Sequence, residues 1–184
     1  MGYALAEAAA KLGARVTLVS GPTYLSVPEC VKYISVITAA EMYEAVMKEI
    51  NGQDIFIGAA AVADYTVKEV SKTKLKKQAG DLQISLTRTR DNLQTVANLE
   101  YRPFCVGFCA EDENLLESAK LKLKNKNLDL IIANFISDSF DQDTNTVIMI
   151  DRKLNEMPLG PFTKRDLAYE LLGFLVRTLS LRET

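Results

Sequence analysis

Asp64 closes a run of small residues, Gly58-Ala59-Ala60-Ala61-Val62-Ala63, and lysines crowd the next dozen positions. Small side chains let a ligand approach the backbone closely. A carboxylate at the end of such a run can hold a ribose hydroxyl, a base amine or a metal; capping a turn is the plainer use of it. Between positions 68 and 77 stand Lys68, Lys72, Lys74, Lys76 and Lys77 against one acid, Glu69. A cationic loop of this kind suits a polyphosphate, although most charge runs are simply solvated. A second group, Lys120, Lys122, Lys124 and Lys126, follows later, and Lys122 and Lys126 lie one helical turn apart on one face. Those lysines also complement the dipole at a helix end, which is a sufficient structural reason for them. Asp91 stands where a helix begins, so the free N–H groups there can bind an anion or a hydroxyl, unless Asp91 itself caps them.

The chain contains no His. That excludes, within this chain, Ser-His-Asp and Cys-His nucleophile pairs, an imidazole base and His-ligated zinc. Catalysis would have to run on lysines, arginines, carboxylates, hydroxyls, backbone dipoles or an oxygen-held metal, whose ligands the sequence does not single out.

These groups need a scaffold, and the pattern supplies one. Positions 2–12 read as a helix stopped by Gly13, and positions 15–19 as a strand. A helix followed by a strand is the second half of a βαβ unit; the first strand and its phosphate-binding turn are expected upstream of Met1. A strand is predicted over 31–37, then a helix to Ile50 opened by a Thr38/Glu41 capping box. Near-continuous apolar runs at 54–60, 104–109 and 128–133 predict strands buried on both faces of a parallel sheet. Positions 61–81 read as a long loop, functional if structureless, and 82–86 as a short alternating strand. Helices are predicted over 91–99, 114–126 and 163–179, with Thr163 and Asp166 as caps, and a hairpin around 146–153. The alternation predicts one three-layer, Rossmann-like α/β domain over residues 1–184 with a mostly parallel central sheet. In such sheets ligands bind beyond the carboxyl ends of the strands, which directs attention to 60–65, the loop after Leu86, 108–111 and Asn134.

The chain has 184 residues, 48% of them hydrophobic and 25% charged, enough for one domain with a proper core. Its formal charge of −2 gives no global attraction to nucleic acid or anionic membrane. Cys30, Cys105 and Cys109 are an odd number without metal-type spacing, as expected of reduced thiols in a cytoplasmic protein. No apolar stretch reaches the roughly 20 residues that span a bilayer.

Several blocks together resemble bacterial phosphopantothenate–cysteine ligase, usually the C-terminal half of a bifunctional coenzyme A biosynthesis protein. They are Phe56 to Tyr65, Lys74 to Gln78, Val106 to Glu111, Lys126 to Asn134, and Met1-Gly2 with Val16 to Pro22. The resemblance implies a CTP-dependent ligation with Mg2+ or a similar cation, through an acyl-cytidylate. It also implies a homodimer, with the 146–150 hairpin as the expected contact, and a fused flavin-dependent decarboxylase domain. By the same resemblance Asp64, Lys74, Arg90, Asp91, Asn92, Leu93, Phe108, Lys122 and Lys126 contact the nucleotide. Ala60 and Ala61 lie near the acyl-cytidylate, and Lys74 is the catalytic lysine of a flap that Lys76 and Lys77 support. Two departures stand out. The family's Ile-Thr-Asn-x-Ser-Ser-Gly-Lys type run belongs upstream of Met1, and Arg88-Thr89-Arg90-Asp91-Asn92 replaces a usual Lys-Asn-Pro-Asp-Ile. Two other readings compete. A nicotinamide-dependent Rossmann oxidoreductase is disfavoured because no Gly-x-Gly-x-x-Gly follows a strand; a non-catalytic nucleotide-binding module would bind CTP without releasing pyrophosphate.

Overall fold

The computed structural model describes residues 1–71, 73–76, 80–111, 113–135 and 144–180, with Phe135 as backbone only. Its elements follow the predicted alternation. Helix α1 (Gly2–Lys11) leads through Gly13, at φ +88°, into β1 (Val16–Ser20), which pairs in parallel with β2 (Val31–Ser35). Helix α2 (Ala39–Glu49) opens with the expected capping box: Thr38 accepts from the Glu41 N–H while the Glu41 carboxylate reaches back to the Thr38 N–H.

A five-stranded sheet forms the centre, in the order β3 (Ile55–Gly58), β6 (Phe104–Glu111), β7 (Leu130–Phe135), β8 (Thr144–Asp151), β9 (Glu156–Thr163). The ladders β3–β6 and β6–β7 are parallel, and those of β8 with β7 and with β9 are antiparallel. One face packs on α2, α3 (Asn92–Ala97) and α4 (Leu115–Asn125) around Val96, Ala119, Leu123 and Ile131. The other packs on α1 and α5 (Lys164–Ser180) around Leu5, Val106, Leu167 and Leu171.

Three expectations change. The strand predicted over 54–60 is only half-buried, because among the described residues one of its edges meets no neighbouring strand. The segment 61–81 is not structureless throughout, since β4 (Tyr65–Val67) pairs antiparallel with β5 (Leu86–Arg88). Bonds from the Lys68 N–H to the Ser85 carbonyl and from the Thr89 N–H to the Asp64 carbonyl, each 2.9 Å, extend this ribbon at both ends. The strand expected at 82–86 therefore shifts to 86–88; Leu82 and Ile84 stay exposed because no face exists to bury them. The hairpin expected around 146–153 is present as β8 with β9, and β8 lies inside the sheet with Val147, Met149 and Ile150 buried. Exposed apolar side chains include Tyr65, Val70, Leu75 and Ile84, on β4 and on the segment that joins it to β5.

Two glycines set the position of α3. Gly58 and Gly107 face each other across the β3–β6 ladder, and both lie under Leu93. A Cβ on Gly107 would stand 2.7 Å from Leu128 Cδ1 and 2.9 Å from Leu93 Cδ2, inside any normal contact. Gly107→Ala is expected to cost about 1–3 kcal/mol by overpacking. Chemical denaturation checks this, and a loss below about 0.5 kcal/mol would show that α3 does not need that seat.

Candidate functional site

The carboxyl ends of β3 and β6 and the start of α3 converge. Asp91 is the N-cap of α3: its side chain accepts from the Gln94 N–H at 2.9 Å. The same carboxylate pairs with Lys126 Nζ, 2.6 Å away at the end of α4. Burial on its own would push the Asp91 carboxyl up, but the Gln94 N–H, Lys126 and the Leu93 N–H outweigh it and hold the group below the usual carboxylate range. A depressed folded-state value means that Asp91 stabilises the fold above the ordinary carboxylate range. That contribution fades as the pH falls through the depressed value.

One turn earlier on α4, Lys122 donates to the Phe108 carbonyl at 2.7 Å, tying the helix to the end of β6. Lys122 and Lys126 thus share a face, as their spacing predicts, and both point to the strand tips. Beside them Asn92 has a buried Oδ1 with no hydrogen-bond partner among the described residues. Such an atom is costly to bury alone, so it marks a place where a donor from a ligand would be stabilised. Leu93 is 8% exposed and its side chain belongs to the core, leaving only main-chain atoms for a ligand. Arg90 turns outward, paired with Glu44 at 2.8 Å and stacked over Tyr43 at 4.6 Å.

Across the β3 tip, Ala60 and Ala61 are exposed and line a cavity of about 310 Å³ with Val36, Thr38 and Met42 from beyond β2. Asp64 is exposed, and among the described residues its carboxylate makes no ion pair. Its carbonyl and that of Ala63 accept from the Thr89 N–H at 2.9 Å and the Thr89 hydroxyl at 2.6 Å. Thr89 therefore clips the strand-end segment to the loop before α3, a role nothing in the sequence indicated.

Lys74 and Lys76 are exposed on the segment between β4 and β5, and among the described residues neither forms an ion pair. The structure thus gathers Asp91, Asn92, Lys122, Lys126 and the Phe108 backbone, places Asp64, Ala60 and Ala61 beside a neighbouring cavity, and leaves Lys74 unattached. Lys72, Lys77 and Gln78 lie outside the described residues. On α4, Lys120 pairs with Glu156 at 2.7 Å. Cys105 and Cys109 are buried, and burial pushes both thiols up, away from the reactive thiolate form.

Lys126→Gln is expected to weaken nucleotide binding about tenfold by removing one charge-assisted contact, while Asp91 keeps its cap. Isothermal titration with CTP checks this; an unchanged Kd would reduce the pair to a structural tie.

Known proteins share this fold. Residues 1–179 match the family described as the DNA/pantothenate metabolism flavoprotein C-terminal domain. The chain is 42% identical over 179 residues to the coenzyme A biosynthesis bifunctional protein CoaBC of Haemophilus influenzae, covering 96% of this chain and 44% of that protein. It is 43% identical over 176 residues to the protein of the same name from Bacillus subtilis, covering 94% and 43%. The chain thus spans less than half the length of these curated relatives. The crystal structure of the C-terminal domain of a coenzyme A biosynthesis bifunctional protein CoaBC superposes with a TM-score of 0.82 at 38% identity, covering 97% of this chain and 81% of that one. A Cab2 mutant solved with phosphopantothenate-cysteine shares the fold, with a TM-score of 0.65 at 17% identity over 85% of this chain and 56% of that one. With its match over residues 1–179 and its likeness in sequence and fold to these proteins, the chain belongs to the DNA/pantothenate metabolism flavoprotein C-terminal domain family.

Proposed function

We propose that this chain carries the phosphopantothenate–cysteine ligase half of a bifunctional protein, with CTP as the activating nucleotide. The observation that carries the reading is the cluster of Lys122, Lys126, Asp91 and the unpartnered Asn92 Oδ1 at the tips of β3 and β6. The start of α3 and the two lysines hold the nucleoside end. The small residues Ala60 and Ala61 admit the acyl part to the cavity beside β3. In the first step the carboxylate of 4′-phosphopantothenate attacks the α-phosphorus of CTP and pyrophosphate leaves. In the second, the cysteine amine attacks the acyl carbon, the amide forms and CMP leaves.

A carboxylate is already ionised at neutral pH, so the absence of His costs the first step nothing. What that step requires is alignment and neutralisation of phosphate charge, and lysines supply both. Among the described residues no three His, Cys, Asp or Glu side chains converge on a point. Mg2+ enters as part of the nucleotide, bound by its phosphates. The fused half is a flavin-dependent decarboxylase, the protein works in the cytoplasm, and it pairs as a homodimer through the apolar side chains exposed on the ribbon. Among the described residues no helix is long and apolar enough to cross a membrane.

The test uses the intact polypeptide. With CTP, Mg2+ and 4′-phosphopantothenate but no cysteine, it should release about one equivalent of pyrophosphate per site, and CMP only after cysteine is added. Binding of CTP without pyrophosphate release would refute the ligase in favour of a nucleotide-binding module, and reduction of NADP+ would point to the oxidoreductase.

A further inference from the structure

Three consecutive residues before α3 each bind a different part of the domain. Thr89 holds two successive carbonyls of the segment after β3. Its N–H donates to the Asp64 carbonyl at 2.9 Å, and its hydroxyl donates to the Ala63 carbonyl at 2.6 Å. Arg90 reaches α2, where it pairs with Glu44 at 2.8 Å and stacks over Tyr43 at 4.6 Å. Asp91 caps α3 and pairs with Lys126 of α4. The loop is therefore fastened to three helices by charged side chains, and Thr89 reaches from that fixed base to residues 63 and 64.

The two things that Thr89 joins are the two ends of the candidate site. Ala60, Ala61, Val62 and Ala63 line the cavity beside β3, together with Thr38 and Met42 of the α2 end. Asp91, Lys122 and Lys126 form the other end, at the tips of β3 and β6. Ala60-Ala61-Val62-Ala63 has no polar side chain with which to anchor itself. Its position must be set from outside, and among the described residues the Thr89 hydroxyl is the one side-chain donor to its carbonyls. Holding the Ala63 and Asp64 carbonyls from a single residue fixes both backbone dihedrals of Asp64 between them.

We infer that Thr89 is a positioning residue, whose hydroxyl keeps the alanine wall of the cavity in register with the nucleotide end of the site. The inference rests on the ligase reading, in which the acyl part lies along that wall and its carboxylate must meet the α-phosphorus in line. One neutral hydrogen bond contributes little to the fold as a whole. A small displacement of one reactant against the other is far more costly to the rate. Thr89→Val keeps the shape of the side chain and the N–H bond to Asp64, and removes only the bond to Ala63. The loss therefore falls on the chemical step and not on the affinity for CTP, which the lysines and Asp91 retain.

The experiment uses the intact polypeptide and compares the parent with Thr89→Val, Thr89→Ser and Thr87→Val. Thr87 is an exposed threonine on β5, two positions earlier. In single turnovers with saturating CTP, Mg2+ and 4′-phosphopantothenate, Thr89→Val should release pyrophosphate about 10–100-fold more slowly. Its Kd for CTP should stay within about threefold of the parent and its Tm within about 2 °C, as expected for the loss of one neutral hydrogen bond. Thr89→Ser, which keeps the hydroxyl, and Thr87→Val should both release pyrophosphate within about threefold of the parental rate. Amide exchange over residues 59–64, read by mass spectrometry, should be about fivefold faster in Thr89→Val and parental in Thr89→Ser. A parental rate for Thr89→Val overturns the inference, and so does equal slowing of Thr89→Ser or Thr87→Val. A loss seen only in Kd or Tm overturns it as well, because a merely structural bond would act there. A parent that releases no pyrophosphate overturns the ligase reading instead. The exchange comparison then decides whether the hydroxyl holds the alanine wall, and equal exchange in Thr89→Val and the parent overturns that.

Discussion

Lys74→Gln is expected to slow pyrophosphate release by about 10²–10³-fold in single-turnover experiments with saturating CTP and 4′-phosphopantothenate. The reason is electrostatic. Attack at the α-phosphorus builds charge on the departing pyrophosphate, and a lysine that closes over it in a water-poor cleft stabilises the transition state more than the bound substrate. Lys74 is exposed on the segment between β4 and β5 and, among the described residues, has no ion pair to lose. The far-UV spectrum and Tm should therefore be unchanged, and Lys74→Arg should recover part of the rate by restoring charge without the point geometry. A rate within threefold of the parent for Lys74→Gln would remove Lys74 from the mechanism and return the lysine run to solvent.

The second large effect is structural. Asp129→Ala is expected to destabilise the fold by about 3–5 kcal/mol, a fall in Tm on the order of 10 °C. Asp129 is 4% exposed at the entrance to β7. It accepts from both terminal nitrogens of Arg102 at 2.8 and 3.0 Å, from the Cys105 N–H at 2.8 Å and faces Arg152 Nε at 3.2 Å. Burial draws the Arg102 guanidinium down, but the paired Asp129 reverses this and leaves it above its usual value. Removing the carboxylate strands a half-buried guanidinium and a buried N–H together. Asp129→Asn keeps an acceptor and should lose less. Thermal and urea denaturation measure both variants, and a loss under about 1 kcal/mol for Asp129→Ala would show that solvent replaces the carboxylate freely.

Local signals in the sequence carried most of the scaffold. The Thr38/Glu41 box, the Asp91 cap and the helical spacing of Lys122 and Lys126 each depend on residues within one turn, and all three appear as expected. The apolar runs located β6 and β7 because a strand buried on both faces needs no partner's pattern to be recognised. What stayed illegible depends on distant pairing. β9 contains Pro158 and Pro161, which argue against a strand, yet it is an edge strand where a missing N–H is tolerated. The ribbon of β4 and β5 joins segments separated by about twenty residues with no shared period. At the site, Thr89 and the Gly58/Gly107 seat act through contacts that cross the sheet, and no spacing along the chain announces them. The buried Asp129 carried a faint signal, a lone acid between Leu128 and Leu130 in an apolar run, which demands a cationic partner.

The most direct test is a crystal structure of the intact polypeptide soaked with CTP and Mg2+. The account predicts the cytidine at the tips of β3 and β6, within hydrogen-bond reach of the start of α3 and of Lys122 or Lys126, with Lys74 turned over the phosphates. Cytidine bound at any other surface, or the same docking with Lys74 still pointing into solvent, would contradict it.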